Sequence, residues 1–481
     1  MPRVREVHKN LILLLLATAQ FMVVLDVSVV NVALPSIYRG LHFHSDSSLQ
    51  WIVTAYTLAF GGFLLLGGRA ADLYGRKKVF LGGILLFSSA SLVCGLSQNS
   101  AMIEIIRGVQ GFAAAFMSPA ALSIVITTFK EGKERNKAIS VWGAVAAGGA
   151  ATGVLLGGVI TQYLGWRWNF FVNVPVGILL IFATIFFIPE SKSDLDHHEL
   201  DLPGAALITG GLMLLVYGLT KAPSYGWTSY KSVDFIGGSL ILISLFLLNE
   251  IRVKHPLMPL SIFRIKNIAS ANATQLPITA ALFSMFFFIS LYVQTVLGYS
   301  PVRSGFSFLP VTIIIGIVAT SMSKVVTKIG YKKPLMVAPL LMAFGLWYLT
   351  RVRVGGTYLH DVFPGLAVMA VGLGMAFISI TIAATNGVPP KKSGLASGLL
   401  NTSQQIGGSL GLAILSGVAS SATMKYLATH KPSLTSAAQA QVTGFHHAFY
   451  AGVVFALIAW LFAIFFIHEK PGEKIEATPG V

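Results

Sequence analysis

Apolar residues run in long blocks along almost the whole chain, and the blocks are interrupted by charges, prolines or glycine clusters rather than by the alternation of half-buried strands. Fourteen emerge, at approximately 11–33, 49–68, 79–97, 101–128, 138–163, 168–188, 203–221, 232–250, 268–296, 303–323, 334–350, 361–386, 395–421 and 447–467. A hydrocarbon layer about 30 Å thick is crossed by roughly 20 residues rising about 1.5 Å each, so every block predicts one membrane-spanning helix. The first block follows Arg3, Arg5 and Lys9, as a signal peptide would. It is too long for a signal core and no small-residue cleavage site follows it, so it reads as the first span.

Composition agrees: of 481 residues, 54% are hydrophobic and only 11% are charged. Soluble domains carry about 25% charged residues, and a chain with half that share cannot cover its surface with polar groups in water. The lone cysteine, Cys94, excludes a disulfide framework. The formal charge is +16, from 34 basic and 18 acidic residues. Lys and Arg are retained on the cytoplasmic side of short loops. With both termini inside, 24 of the basic residues fall on inner segments and nine on outer ones, and Arg107 lies within a span. The basic balance is thus a topology signal for a multi-pass protein of a cell membrane, expected to be bacterial, with cytoplasmic termini. Nucleic acid is not an expected partner, because the charges form no contiguous face.

The chain also repeats itself. The loop after the second block reads Asp72-Leu73-Tyr74-Gly75-Arg76-Lys77-Lys78, and after the tenth comes Thr327-Lys328-Ile329-Gly330-Tyr331-Lys332-Lys333, with the glycine and the lysine pair in register. Blocks 1–6 then match blocks 9–14, as in transporters built from two related halves. The expected organisation is an N-terminal six-helix bundle (1–188), a linker with two inserted membrane helices (189–267) and a C-terminal six-helix bundle with its tail (268–481). The acidic run from Glu190 to Asp201, which includes His197 and His198, fits no zinc spacing and reads as a solvated linker. Neither a metal nor an organic cofactor is expected.

Ionisable groups inside spans are costly and point to function. Two carboxylates lie clearly within blocks, Asp26 and Glu104. Asp26 is roughly 23 Å from the inner end of its helix, and Arg107, one turn below Glu104, lies at a similar depth, which allows an ion pair between helices 1 and 4. Asp26, Arg107 and Glu104 are therefore the candidates for proton coupling. Ser28 and Asn31 share a face of the first helix that Asp26 does not, and Arg107, Gln110, Ala114 and Met117 or Ser118 follow one face of the fourth. Candidates for a polar substrate cavity are Gln20, Ser28, Asn31, Tyr56, Gln110, Met117 and Asn173 in the first half, and Gln275, Tyr292, Gln294, Asn401, Gln404 and Gln405 in the second. Gly149, Gly153 and Gly157 form a small-residue stripe that lets another helix approach closely, and Gly394/Gly398 and Gly407/Gly411 repeat the idea. Residues Gly407-Gly408-Ser409-Leu410-Gly411 satisfy a hydrolase pattern, but inside an apolar helix they cannot form a strand-to-helix elbow. No enzyme motif is supported.

The stretch Gly68-Arg-Ala-Ala-Asp72-Leu-Tyr-Gly75-Arg76-Lys77-Lys78 resembles the helix 2–3 loop motif of the major facilitator superfamily. Residues Leu25-Asp26-Val-Ser28-Val-Val-Asn31-Val-Ala-Leu34-Pro35, Arg107-Gly-Val-Gln110-Gly111 and Trp166-Arg-Trp168-Asn-Phe-Phe-Val-Asn173-Val-Pro175 are similar to the fourteen-span drug:proton antiporter branch. The resemblance covers essentially the whole chain. It implies an all-helical membrane protein with a major facilitator fold. It also implies a cytoplasmic gate at Gly68, Asp72, Gly75 and Arg76, and proton coupling through Asp26 and Arg107. One motif departs: where the family has G-P-x-x-G-G, this chain has Gly153-Val154-Leu155-Leu156-Gly157-Gly158, and valine removes the backbone reason for a bend.

The expected function is proton-driven export of lipophilic or amphipathic small molecules by alternating access, with the lipid bilayer as surroundings, the proton gradient as energy source and a monomer as the unit. The scarcity of acid within spans favours neutral, zwitterionic or monocationic substrates. Rival readings are a specific metabolite or lipid transporter on the same fold, and a scaffold or receptor that no longer transports.

Overall fold

The computed structural model describes residues 2–43, 46–129, 133–191, 200–430 and 433–469. Among them are fourteen long helices and no strand. In chain order they are α1 (Pro2–Gly40), α2 (Trp51–Tyr74), α3 (Arg76–Gly95), α4 (Ser100–Thr128), α5 (Lys133–Tyr163), α6 (Asn173–Phe187), α7 (Leu202–Tyr225), α8 (Tyr230–Arg252), α9 (Ile268–Leu291), α10 (Pro301–Ile329), α11 (Lys332–Leu349), α12 (Phe363–Thr385), α13 (Pro390–Thr429) and α14 (Leu434–Phe465). Twelve of these segments are long and apolar enough to cross a membrane, and α5 and α11 are the other two. The acidic linker between α6 and α7, with His197 and His198, lies mostly outside the described residues.

Helix starts follow side-chain chemistry. Asn99 caps α4 by accepting from the Met102 amide at 2.9 Å, and Asp201 caps α7 by accepting from Gly204 at 2.8 Å. Ser300 caps α10 ahead of Pro301, which occupies a first-turn position where no amide donor is needed. Proline also lies inside α1, α4, α9, α10 and α11 (Pro35, Pro119, Pro277, Pro310 and Pro339), where surrounding helices hold the geometry.

Within the first group, α1 packs on α5, α2 on α4 and α3 on α4 and α6; within the second, α9 packs on α13 and α14 and α11 on α12 and α14. The two largest contacts between the groups are α2 with α13 and α5 with α10, and α1 also touches α9 and α10. The internal repeat maps α2 onto α10 and α5 onto α13, so it exchanges these two interfaces. The inserted helices α7 and α8 form a hairpin, and α7 lies against both α2 and α13. The most apolar window of α8 is only 17% buried against 82% for the α9 span, which puts α8 on the periphery and α9 at the centre.

The glycine stripe of α5 makes the α1 contact. A Cβ on Gly153 would lie 2.2 Å from Ser28 Oγ, and one on Gly157 would lie 2.8 Å from Val29 Cα. Gly149 is the looser member, 3.3 Å from Phe21 and Val24. Gly407 and Gly411 play the same part in α13, against Leu276 and Ala280 of α9, whereas a Cβ on Gly394 would meet nothing within 4 Å. Val154 stands where the resemblance places proline, in a helix that runs without a break from Lys133 to Tyr163. Its carbonyl oxygen lies 2.7 Å from where Gly305 of α10 would carry a Cβ.

Candidate functional site

Asp26 lies deep in α1 and is fully buried, as is Arg107 in α4. The two form an ion pair through Asp26 Oδ2 and Arg107 Nη1, the contact that their depths allow. The other carboxylate oxygen accepts from Gln110 Nε2 and from Asn173 Nδ2, each at 2.9 Å. Arg107 also donates from Nη1 to Gln110 Oε1 at 2.8 Å and from Nε to the Ile52 carbonyl at 3.0 Å. Its guanidinium stacks over the Tyr56 ring, 4.3 Å from the centroid. Asn173 donates further to Ser91 Oγ at 3.0 Å, and Ser91 donates to the Phe170 carbonyl at 2.8 Å.

Five helices thus meet on one carboxylate: α1 supplies it, α4 its cation, and α2, α3 and α6 the surrounding shell. Close approach is built in, because a Cβ on Gly111 would lie 2.1 Å from the Tyr56 carbonyl oxygen. A buried ion pair survives in a low-dielectric interior only if its donors and acceptors find partners. Here both carboxylate oxygens accept and Arg107 donates from Nη1 and Nε, while the Tyr56 hydroxyl beside them has no partner among the described residues. The pair is neutral as a unit, so gain of a proton by Asp26 would leave Arg107 as a net buried charge. That is a strong drive to change what surrounds it.

Glu104, the third coupling candidate, is apart from this network. It is half-buried and lines a cavity between α2, α4 and α7 with Lys221. Tyr56, Gln110 and Asn173 join the Asp26 network, whereas Met117 is packed among α3 residues, 2.9 Å from the position of a Cβ on Gly83. Gln20 accepts from Ser118 Oγ at 2.9 Å. Ser28 and Asn31 turn back onto their own helix, to the Val24 and Val27 carbonyls. Gln275 is buried with Oε1 unpartnered, Asn401 is exposed, and Gln404 and Gln405 are partly buried, Gln405 against Gly61.

Gln294 belongs to closure of one end, and Tyr292 braces the second group beside it. Ser290 Oγ donates to the Asn31 carbonyl at 2.8 Å and Gln294 Nε2 to the Val32 carbonyl at 3.0 Å. Thr57 and Ser409 share a hydrogen bond of 2.5 Å, and Gln162 Oε1 accepts from the Val302 amide at 3.2 Å. Tyr292 OH donates to the Arg353 carbonyl at 2.9 Å. All of these contacts lie in the half of the molecule remote from the chain termini.

At the terminal end, the loop motif is a clasp. Arg76 Nη2 pairs with Asp72 Oδ1 at 2.9 Å, and Arg76 Nε donates to Ser123 Oγ of α4 at 2.7 Å. Gly75 turns the chain at φ +108°, a conformation that favours glycine. Glu190 just after α6 accepts from the Lys77 and Ser191 amides at 3.1 Å. A Cβ on Gly68 would meet only Pro119, at 3.7 Å, so that glycine is not tightly packed. The second half repeats the clasp: Gly330 turns at φ +86°, and Glu469 just after α14 accepts from the Tyr331 and Lys332 amides at 3.1 and 2.9 Å. Neither glutamate follows from the sequence motifs. Their equivalent places after the sixth helix of each half were the available signal.

Two helical groups related by an internal repeat, with a buried charge network in one and a closed end between them, define a membrane transporter of the alternating-access type. The chain belongs to the Major Facilitator Superfamily, whose model matches residues 16–412. It is 39% identical over 458 residues to the puromycin resistance protein Pur8 of Streptomyces alboniger, covering 93% of this chain and 90% of that protein. It is 37% identical to the cephamycin export protein CmcT of Amycolatopsis lactamdurans, over 85% of each chain. Among solved structures, a bacterial homologue of the human lysosomal transporter Spinster matches with a TM-score of 0.65 at 16% identity, covering 97% of this chain and 99% of that one. The xylose transporter XylE from E. coli matches at 0.63 and 14%, covering 97% and 98%. These two share the fold. The protein is a multi-pass membrane transporter and not an enzyme.

Proposed function

We propose that the protein is a proton-coupled exporter of lipophilic or amphipathic antibiotics in a bacterial cell membrane, with both termini cytoplasmic. Residues 1–188 and 268–481 act as the two rocking units and 189–267 as the inserted linker. The observation that carries the coupling is the fully buried Asp26 carboxylate, held by Arg107, Gln110 and Asn173. The names of the relatives, puromycin resistance and cephamycin export, support the direction and the substrate class. Closure at the end remote from the termini corresponds to a state open toward the cytoplasm. Asp26 takes up a proton in one state and releases it in the other, and the loop clasps at Gly75 and Gly330 hold each half as a unit while the halves rock.

The test is transport of puromycin into inverted membrane vesicles carrying the protein. An imposed pH gradient, acid inside, should drive accumulation, and an ionophore that collapses it should stop accumulation. Accumulation that ignores the gradient would overturn the coupling, and movement only in the opposite direction would overturn export.

A further inference from the structure

Beside α4, away from the Asp26 network, lies a cavity of about 630 Å³ walled by α2, α4 and the inserted helix α7. Its apolar wall comes from Trp51, Phe63, Phe112, Met213 and Tyr217. Phe63 and Phe112 stack edge-on with centroids 4.8 Å apart, and Trp51 and Tyr217 face each other across α2 and α7 at 6.2 Å. At the polar end are Glu104, one turn into α4, and Lys221, one turn before the end of α7. Both are half-buried, and among the described residues neither makes a hydrogen bond or ion pair within 4 Å. The two opposite charges face one cavity and act on each other across it without closing to an ion pair, which leaves room for a ligand that carries both signs.

The remaining features choose among such ligands. Glu104 and Lys221 lie near helix ends, at the depth where a bilayer changes from headgroup to chain, and Trp51 and Tyr217 are the aromatic residues expected at that level. From Glu104 the wall descends two turns to Phe112, about 12 Å, the path of an acyl chain. Ile105 on the rim is 67% exposed, so the cavity opens on the lipid-facing surface and not between the two halves. Gly108 forms part of the floor, and a Cβ there would meet only the Ala55 carbonyl, at 4.0 Å. That glycine is therefore not required for helix packing; it keeps the cavity open.

We propose that this cavity holds one phospholipid with an ammonium-bearing zwitterionic headgroup, of the phosphatidylethanolamine kind. The ammonium is met by Glu104, the phosphate by Lys221, and one chain lies along Trp51, Phe63, Phe112 and Tyr217. The site gives the inserted helix α7 a role: it completes a lipid pocket that the six-helix half lacks, and couples α7 to α2, one of the helices that joins the halves. It stands independently of the substrate or coupling proposed above.

The test uses the full-length protein in mixed micelles titrated with brominated-chain phosphatidylethanolamine or phosphatidylglycerol. Tryptophan quenching is read as the component that disappears in Trp51→Phe. Saturable quenching of Trp51 by phosphatidylethanolamine is expected at roughly tenfold lower lipid than by phosphatidylglycerol. Glu104→Gln and Lys221→Gln should each remove most of that preference, and Gly108→Phe should abolish Trp51 quenching while the other tryptophans are quenched as before. Gly108→Ala, which barely enters the cavity, should bind as the wild type does and serves as the folding control. Equal quenching by both lipids, untouched by the Glu104 and Lys221 variants, would overturn the proposal in favour of ordinary annular lipid. Quenching relieved by puromycin but indifferent to headgroup would overturn it in favour of a substrate site.

Discussion

Replacing Asp26 by Asn keeps the shape of the side chain and removes its charge, and the surroundings cannot accommodate the change. Asp26 accepts on one oxygen from Arg107 and on the other from both Gln110 and Asn173. An Asn amide turned either way points its own N–H groups at a donor. Arg107, 1% exposed, is left as an uncompensated buried charge. Breaking a buried pair in this way costs ~3–5 kcal/mol. Arg107→Gln should cost a similar amount, because it strands the Asp26 carboxylate. The double variant Asp26→Asn/Arg107→Gln removes both charges and keeps amide donors and acceptors, so it should be more stable than either single variant by at least ~2 kcal/mol. Cys94 supplies the assay: it is the only cysteine, fully buried, with its thiol directed to Gln110 Oε1 at 3.8 Å. Alkylation of Cys94 therefore reports opening of this region. At about 1.4 kcal/mol per factor of ten, each single variant should be alkylated roughly 100- to 3,000-fold faster than the wild type, and the double variant at least about 30-fold slower than the singles. The reasoning fails if Asp26→Asn stays within about threefold of the wild type, or if the double variant reacts as fast as the singles.

Other substitutions probe the packing and the clasps. Gly111→Ala places a methyl 2.1 Å from the Tyr56 carbonyl oxygen and should destabilise by ~1–3 kcal/mol or more, read as a lower unfolding temperature; an unchanged temperature would show that α2 and α4 can separate freely. Thr57→Val removes the 2.5 Å bond to Ser409 and should shift the balance toward opening of the end remote from the termini by about 1 kcal/mol, or roughly fivefold, read by spin-label distances across that end. Glu190→Gln and Glu469→Gln should each speed hydrogen exchange several-fold at the amides they accept from, Lys77 and Ser191 in one half and Tyr331 and Lys332 in the other. An effect confined to one half would break the equivalence of the two clasps.

Much of this architecture is legible in the residues because a bilayer imposes a length on each apolar block and a sign on each loop. Depth is legible too, at about 1.5 Å per residue, which is why the sequence alone allows an ion pair between Asp26 and Arg107. Azimuth is harder. The period of a helix tells which residues share a face and not which neighbour that face meets, so Gln110, Asn173 and Tyr56 read as cavity candidates when they surround the Asp26 pair. Ser91 and the Ile52 carbonyl were invisible, one for its ordinary side chain and the other because backbone carries no sequence signal. Glu104 had the right depth for coupling but looks toward α7, whose packing on α2 and α13 no periodicity reveals. Glu190 opens an acidic run with the composition of a solvated linker, yet its carboxylate accepts from the Lys77 amide beside the Gly75 turn.

The central claim is that Asp26, opposed by Arg107, carries the proton that drives export. The most direct measurement is proton movement triggered by puromycin in proteoliposomes containing either the wild type or Asp26→Asn/Arg107→Gln, with puromycin binding measured on the same preparations. The account predicts substrate-driven proton flux in the wild type and none in the double variant, whose binding persists. Proton flux that survives in the double variant would contradict it.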